Sequence, residues 1–182
     1  MKNKMHYLAV AVSLAFSATA VWADDDLKTE SKQAIDKFKS TDSSMSTFFN
    51  NSAGYAVFPN VGKGGLIVGG AHGKGMVFEK GGTPIGQATM TQASIGAQAG
   101  GQTFSQIIFF ETPASLSDFK EGKFEMRAGV SAIAVKEGAS TSANYKEGVA
   151  VFTLPKKGLM VEASVGGQKF KFEPESGSNT NK

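Results

Sequence analysis

The sequence predicts an α+β domain that is mainly β, in which antiparallel strands form a curved sheet, a sandwich or a partial barrel. N-terminal helices and one short helix near residues 113–120 complete the predicted fold. From Gly54 onward, short apolar runs alternate with turns rich in Gly, Pro and Asn, which is typical of strands. Few helical segments separate these runs, which favours antiparallel pairing over βαβ crossovers. The 22 Gly residues also suit bulges and bends within strands.

The first 23 residues have the pattern of a secretory signal peptide. Lys2 and Lys4 precede an apolar run, Leu8–Phe16, which is shorter than the about 20 residues that span a bilayer. We expect cleavage after Ala23, with the bond after Ala20 as the second choice. An uncleaved N-terminal anchor is the alternative, but no long apolar stretch follows to support it. The pattern predicts an exported protein, periplasmic or secreted. Because the chain has no Cys, we expect no lipid anchor.

The rest of the chain divides into a helical segment over residues 24–51, a β domain over residues 52–174 and a disordered tail over residues 175–182. Five residues of the helical segment have the spacing of one helical face: Leu27, Ser31, Ala34, Ile35 and Phe38. A second short helix is predicted around Phe48. In the β domain, the first strand is expected to end at Pro59, and Gly69–Gly75 is expected to form a hairpin with His72 at its tip. The last three strands are expected to form a meander.

Several chemical functions are disfavoured by the residues present. Each Gly cluster is followed by a strand-like run and not by a helix, which argues against a nucleotide-binding loop. His72 is the one His after the predicted cleavage site, and with no Cys it cannot form a usual zinc site. No G-x-S-x-G motif surrounds any Ser. The sequence gives no sign that any of the scattered Glu residues meet as a catalytic pair. We therefore expect no enzyme, no cofactor, no metal site and no nucleotide.

Basic residues recur at predicted turns and on the first helix, and they suggest a site for lipid phosphates. The candidate lipid-binding residues are Lys28, Lys32, Lys63, His72, Lys74, Lys156 and Lys157. Lys37 and Lys39 add charge to the same helix. Basic side chains near an anionic membrane contribute about 1 kcal/mol each. The alternative is that these lysines only solubilise turns and protect sheet edges. Removal of the signal peptide leaves 17 basic and 16 acidic side chains, so net charge does not favour nucleic acid.

Several sequence blocks occur in the order and spacing of a known family. They are Ala53–Pro59, Lys63–Gly70, Gly73–Gly75, Ala93–Gly100, Phe109–Phe110 with Leu116 and Phe119, and Lys157–Met160. Over Ser52–Pro174 the chain therefore resembles the SYLF domain family. The resemblance implies phospholipid binding, with phosphoinositides as ligands and actin association in fungal and animal members. Bacterial relatives are commonly exported and often lipid-anchored, whereas this sequence lacks the Cys that an anchor requires.

The sequence as a whole predicts a non-enzymatic exported domain that binds anionic phospholipid at a membrane surface. The alternative is a structural or protein-interaction protein of the bacterial envelope without direct lipid binding. The resemblance supplies no head-group residues, so the basic residues above are chosen on physical grounds. Self-association into a homo-oligomer is left open by the sequence.

Overall fold

The computed structural model describes residues 18–65, 68–95, 98–126, 130–157 and 165–175. Its helices are α1 (Ala18–Thr41), α2 (Ser46–Asn51) and α3 (Pro113–Lys120), with 3₁₀ turns at Ser43–Met45 and Ala139–Ser142. Helix α3 has the bounds that the sequence predicts. Pro113 occupies its first turn, and the Thr112 hydroxyl accepts a hydrogen bond from Ser115 N at 3.2 Å.

One seven-stranded sheet contains all the named strands of the described residues. The strands are β1 (Gly54–Gly65), β2 (Val68–Glu79), β3 (Pro84–Ile95), β4 (Gln98–Phe110), β5 (Ile133–Ala134), β6 (Val149–Lys157) and β7 (Gln168–Pro174). Their order is β5-β6-β4-β1-β2-β3-β7, antiparallel throughout except for β5 beside β6. The predicted mainly β, α+β class with N-terminal helices is confirmed.

The sheet is strongly curved. Gln106 on β4 and Gln168 on β7 are separated by three strands, yet their side-chain amides exchange two hydrogen bonds of 2.8 and 3.1 Å. Both residues are fully buried. Phe58 on β1 and Phe170 on β7 also approach to 5.8 Å between ring centroids. The concave face therefore closes around its own core, although the sheet does not close into a barrel.

Alternate residues of the central strands enter two separate cores. Tyr55 and Val57 lie on the face that packs against α1 and α2, which we call the α1 face. Ala56 and Phe58 lie on the concave face that packs against α3, which we call the α3 face. Because both faces are covered, the run Ile107–Phe110 on β4 is fully buried. Each buried Phe or Ile contributes about 1.5–3 kcal/mol.

A buried carboxylate joins the end of α1 to a distant 3₁₀ turn. Asp42 accepts hydrogen bonds from Ser44 N at 3.1 Å, from the Ser44 hydroxyl and from Ser140 N at 2.7 Å. Burial alone would raise the pKa of Asp42, but these donors outweigh it and lower the pKa to about 2. The 3₁₀ turn Ala139–Ser142 is thereby fixed against the N-terminal helices.

The glycines of the first two strands allow close packing and do not form the predicted turn. Strand β1 continues past Pro59 to Gly65, with a register shift between Val57 and Asn60. His72 lies within β2 and not at a hairpin tip, so that expectation was wrong. A Cβ on Gly75 would lie 2.4 Å from the Val57 carbonyl oxygen, which shows that Gly is needed here for contact between neighbouring strands.

The predicted C-terminal meander is described only in its outer strands, because residues 158–164, which contain most of its middle strand, lie outside the described residues. Strand β6 pairs with β4 and β7 pairs with β3, so the two strands lie towards opposite ends of the sheet. The strand expected over residues 124–135 is reduced to bridges at Glu125 and Ser131 and to β5 in its described part. The strand expected over residues 159–165 and the tail fall almost entirely outside the described residues.

The predicted signal peptide lies mostly outside the described residues. Helix α1 begins at Ala18 and runs without interruption through the bond after Ala23, which is the predicted cleavage site. Within the described part of the chain, no helix combines the length and apolarity that crossing a membrane would need.

Candidate functional site

Helix α1 packs on β1 and β2 and presents its charged residues on two flanks. Lys28 and Lys32 are four residues apart and share one flank. Glu30 and Lys37 are seven residues apart and share the other flank. Between the two flanks, Ala34 and Phe38 face the sheet and are buried. The charged residues on the two flanks of α1 therefore lie on different surfaces of the protein.

A cleft of about 490 Å³ lies between the second flank of α1 and strand β6, and we call it the α1–β6 cleft. Its described lining is Glu30, Gln33, Ala34 and Lys37 from α1, Asn60 from β1, Ser105 from β4, and Leu154, Pro155 and Lys156 from β6. Four elements therefore form the walls, and the volume lies within the range of small-ligand sites.

The cleft has an apolar floor and a charged rim. Ala34 is buried, and Leu154 is half-buried against the core under α1. Lys37 and Lys156 are exposed on the two sides of the opening. With Glu30, the described lining has two ammonium groups and one carboxylate, which gives a net charge of +1. Such an arrangement suits an anionic head group attached to an apolar chain.

Asn60 connects the two walls of the cleft. Its Nδ2 donates to Glu30 Oε2 at 2.9 Å, and its Oδ1 accepts from Lys156 Nζ at 2.9 Å. Because an ammonium group can only donate, Lys156 fixes which end of the amide faces it. The Ser105 hydroxyl donates to Pro59 O at 2.8 Å in a buried contact, which holds the irregular part of β1 next to Asn60. The register shift in β1 between Val57 and Asn60 thus positions Asn60 at the centre of the cleft's polar contacts.

The structure brings some of the predicted lipid-binding residues to the same side of the sheet as the cleft. Lys156 lines the cleft itself. His72 and Lys74 alternate along β2 with Ala71, which belongs to the core under α3, so both lie on the α1 face. Asn60 pairs with Lys74 across β1 and β2. His72 and Lys74 are therefore beside the cleft but do not line it.

The other predicted residues are separated from the cleft. Lys28 lies on the far flank of α1 and faces Glu175 at 3.8 Å, and Lys32 is exposed on that flank. Lys63 pairs with Ala71 and lies on the α3 face, opposite to His72 and Lys74. The side chain of Lys157 lies outside the described residues. The predicted basic residues therefore do not form one continuous patch.

Strand β7 adds two further cations to the α1 face. Lys169 and Lys171 alternate with the concave-face residue Phe170. A hydrogen bond from Lys171 lowers the pKa of Glu173, and Lys74 makes a smaller contribution to the same shift. These exposed cations thus have acidic neighbours, in contrast to the cleft, where two lysines share one carboxylate.

Sequence reasoning missed Glu30, Gln33 and Asn60 as parts of the site. Lys37 was recognised only as one charge of the first helix. The i, i+3, i+7 spacing of Glu30, Gln33 and Lys37 was a usable signal, because it places them on one flank. Asn60 had no such signal, since Pro59-Asn60 has the pattern of a turn and the strand continues through it.

Comparison with known proteins finds a family match over the later of the sequence blocks identified above. Residues 91–179 match a family model described as "Ysc84: Las17-binding protein actin regulator". This model describes the SYLF domain, so the resemblance to the SYLF family is confirmed. The SYLF family is known for lipid binding. In this chain the matched region starts within β3, whereas the sheet that contains it already begins at Gly54.

A relative of this chain is the "Beta cell expansion factor A" of Aeromonas veronii, which is 28% identical over 152 residues. The alignment covers 84% of this chain and 58% of the relative, so the chain spans less than two thirds of the relative's length. Neither this name nor the family description specifies a catalysed reaction. Among the described residues, no group of three or more His, Cys, Asp or Glu could hold a metal ion.

Proposed function

We propose that this protein is a non-enzymatic exported domain that binds anionic phospholipid at a membrane surface, with the lipid phosphate in the α1–β6 cleft. The observation that carries the proposal is the combination, in one cleft, of an apolar floor with Lys37 and Lys156 at its opening. The lipid-binding character of the SYLF family and the signal-peptide pattern of the N-terminus support it independently.

The chemistry of the cleft matches an amphiphile better than a free polar ligand. A lipid phosphate would accept hydrogen bonds from the two lysine ammonium groups, and such charge-assisted bonds are short and strong. The glycerol and the upper acyl chain would then contact Ala34, Leu154 and Pro155. The Ser105 hydroxyl is buried and donates to Pro59 O, and the described lining contains no His that could act as its base.

The remaining cations on the α1 face would strengthen contact with the membrane without defining the head-group site. His72 and Lys74 lie beside the cleft, so a bilayer that contacts the cleft would also meet them. Lys63 points away on the other face of the sheet and would contribute least. Because these contacts are exposed and electrostatic, binding should weaken as the ionic strength rises.

Co-sedimentation with vesicles tests the proposal. We expect the protein to pellet with vesicles that contain phosphatidylglycerol and not with neutral phosphatidylcholine vesicles, and to be released at about 0.5 M salt. Replacing both cleft lysines (Lys37→Glu with Lys156→Glu) should weaken binding at least tenfold, because two contributions of about 1 kcal/mol each are lost. The apparent dissociation constant from vesicle titration is the measurement.

A matched control has the same change in charge on the opposite side of the molecule. Lys120 and Lys123 are exposed at the end of α3 and beyond it, on the α3 face. The double variant Lys120→Glu with Lys123→Glu should retain binding within about threefold. Equal weakening in both double variants would contradict a defined cleft. Failure of the unmodified protein to pellet would favour the protein-interaction alternative.

A further inference from the structure

The α1–β6 cleft contains an acid where a site for an anion would be expected to hold only donors. Glu30 lines the cleft together with both lysines, and its carboxylate accepts from Asn60 Nδ2 at 2.9 Å. Asn60 in turn accepts from Lys156 Nζ, so Glu30 and Lys156 are joined through one amide and do not form a direct ion pair. The carboxylate thus faces the space that an incoming anion would occupy.

We propose that the cleft selects phosphodiester head groups over phosphomonoester head groups, and that Glu30 sets this selectivity. The inference rests on the proposed function, since it concerns the ligand of the same cleft. It assigns to Glu30 a role in specificity that is separate from the affinity supplied by Lys37 and Lys156.

Charge balance is the first argument. A phosphodiester carries one negative charge, which matches the net charge of +1 of the described lining. A phosphomonoester carries about −1.5 to −2 at neutral pH, because its second pKa is near 6. The second charge would exceed the net charge of the described lining and would lie near the Glu30 carboxylate. Like charges in close contact disfavour binding, which is a common basis of specificity.

The geometry of Asn60 is the second argument. Because its Oδ1 accepts from Lys156, one N–H of that ammonium is occupied and two remain for a ligand. Its Nδ2 donates one of its two protons to Glu30, so that proton is not available to a phosphate oxygen. The unesterified oxygens of a phosphodiester number two. Lys37 and Lys156 can therefore serve them without help from Asn60.

The charge of Glu30 can be removed without removing its hydrogen bond. In the variant Glu30→Gln the side-chain oxygen can still accept from Asn60, whereas the described lining rises to a net charge of +2. We expect the wild-type protein to bind monomeric dihexanoyl phosphatidylglycerol at least threefold more tightly than dihexanoyl phosphatidic acid at about pH 7.5. In the variant this preference should disappear or reverse. Chemical-shift titration gives both dissociation constants.

Glu79→Gln is the matched control. Glu79 is exposed at the end of β2, far along the strand from the cleft, and its removal causes the same change in net charge. The control should retain the wild-type ratio of dissociation constants. Equal loss of selectivity in Glu79→Gln and Glu30→Gln would show that total charge, and not Glu30, sets the preference, and would overturn the inference.

A change of pH gives a test that needs no variant. Between pH 7.5 and about 5.5 the phosphomonoester loses most of its second charge, whereas the phosphodiester does not change. In the described lining the charged groups are Glu30 and Lys37 from α1 and Lys156 from β6, while β1 and β4 contribute the uncharged Asn60 and Ser105. His72 and Lys74 of β2 lie beside the cleft. For the wild-type protein, the ratio of the dissociation constants of the two short-chain lipids should therefore fall towards one at pH 5.5. Selectivity that persists at pH 5.5 would contradict the charge argument.

The outcomes separate this inference from the proposed function. If neither short-chain lipid binds the wild-type protein, the head-group site in the cleft fails. If both bind and Glu30→Gln leaves their ratio unchanged, the cleft stands and the role of Glu30 fails. An altered ratio in Glu30→Gln with an unchanged ratio in Glu79→Gln supports both.

Discussion

At the scale of single residues, Asp42 is a buried ionised group that joins the end of α1 to the Ala139–Ser142 turn. It caps the 3₁₀ turn Ser43–Met45 and accepts a backbone hydrogen bond from Ser140. A buried carboxylate is tolerated only when donors replace its hydration, and Asp42 has three donor contacts. Its role concerns stability and not ligand binding.

We expect Asp42→Asn to lower the free energy of unfolding by about 2 kcal/mol at pH 7, because a charged acceptor is replaced by a neutral one. The pKa of Asp42 is lowered from 3.8 to about 2, so its stabilisation is complete above about pH 4 and is lost as the pH falls towards 2. The difference between wild type and variant should therefore shrink over this range. Urea denaturation at several pH values measures it.

The exposed residue Asp36 on α1 provides the control for this prediction. Asp36→Asn should change the free energy of unfolding by less than about 0.5 kcal/mol, as is usual for exposed positions. A wild-type stability that stays constant between pH 4 and pH 2, relative to Asp42→Asn, would contradict the role of the Asp42 carboxylate.

At the scale of elements, the paired strands β1 and β2 use glycine in two different ways. A Cβ on Gly75 would lie 2.4 Å from Val57 O and 2.7 Å from the Phe58 ring. At Gly62 a Cβ would have no heavy atom within 4 Å. The first glycine is required by packing, whereas the second only adds flexibility to the unfolded chain.

We expect Gly75→Ala to destabilise the protein by about 2 kcal/mol or more, since overpacking of a close contact forces neighbouring backbone to move. Gly62→Ala should be nearly neutral or slightly stabilising. Thermal unfolding of the two variants, which have the same change in composition, provides the comparison. Similar melting temperatures for both would show that β1 and β2 can separate at Gly75 without cost.

The two glycines also show what the sequence could and could not predict about the elements. Apolar periodicity predicted α1 and α3, because each helix buries one face in a regular pattern. The same reasoning predicted a hairpin in the Gly-rich part of β2, because the sequence does not distinguish a glycine that allows close packing of strands from a glycine that forms a turn. Lys156 was identified as a site residue, but its partners Asn60 and Glu30 come together only through tertiary structure.

At the scale of the whole molecule, the curvature of the sheet depends on a polar contact in the concave core. Gln106 and Gln168 are fully buried and join strands that are not neighbours. A reciprocal amide pair satisfies the main polar atoms of both side chains, which is what permits their burial. The pair fixes β7 over β4 and thereby sets how far the sheet closes.

We expect Gln106→Leu to lower the free energy of unfolding by about 2–3 kcal/mol, because the amide of Gln168 is left buried without its partner. The double variant Gln106→Leu with Gln168→Leu should recover part of this loss, since no polar group then remains unpaired. A double-mutant cycle from urea denaturation measures the coupling. Strictly additive effects would mean that the two amides act independently of each other.

The order of the strands has a consequence for how the chain reaches its native state. Strand β1 lies between β2, which follows it directly, and β4, which is synthesised after both β2 and β3. The contact of Asp42 with Ser140 joins residues 98 positions apart. Ordering such distant segments costs loop-closure entropy before many contacts compensate for it. Local hairpins therefore have a kinetic advantage, and we expect the N-terminal helices to attach to the Ala139–Ser142 turn late in folding.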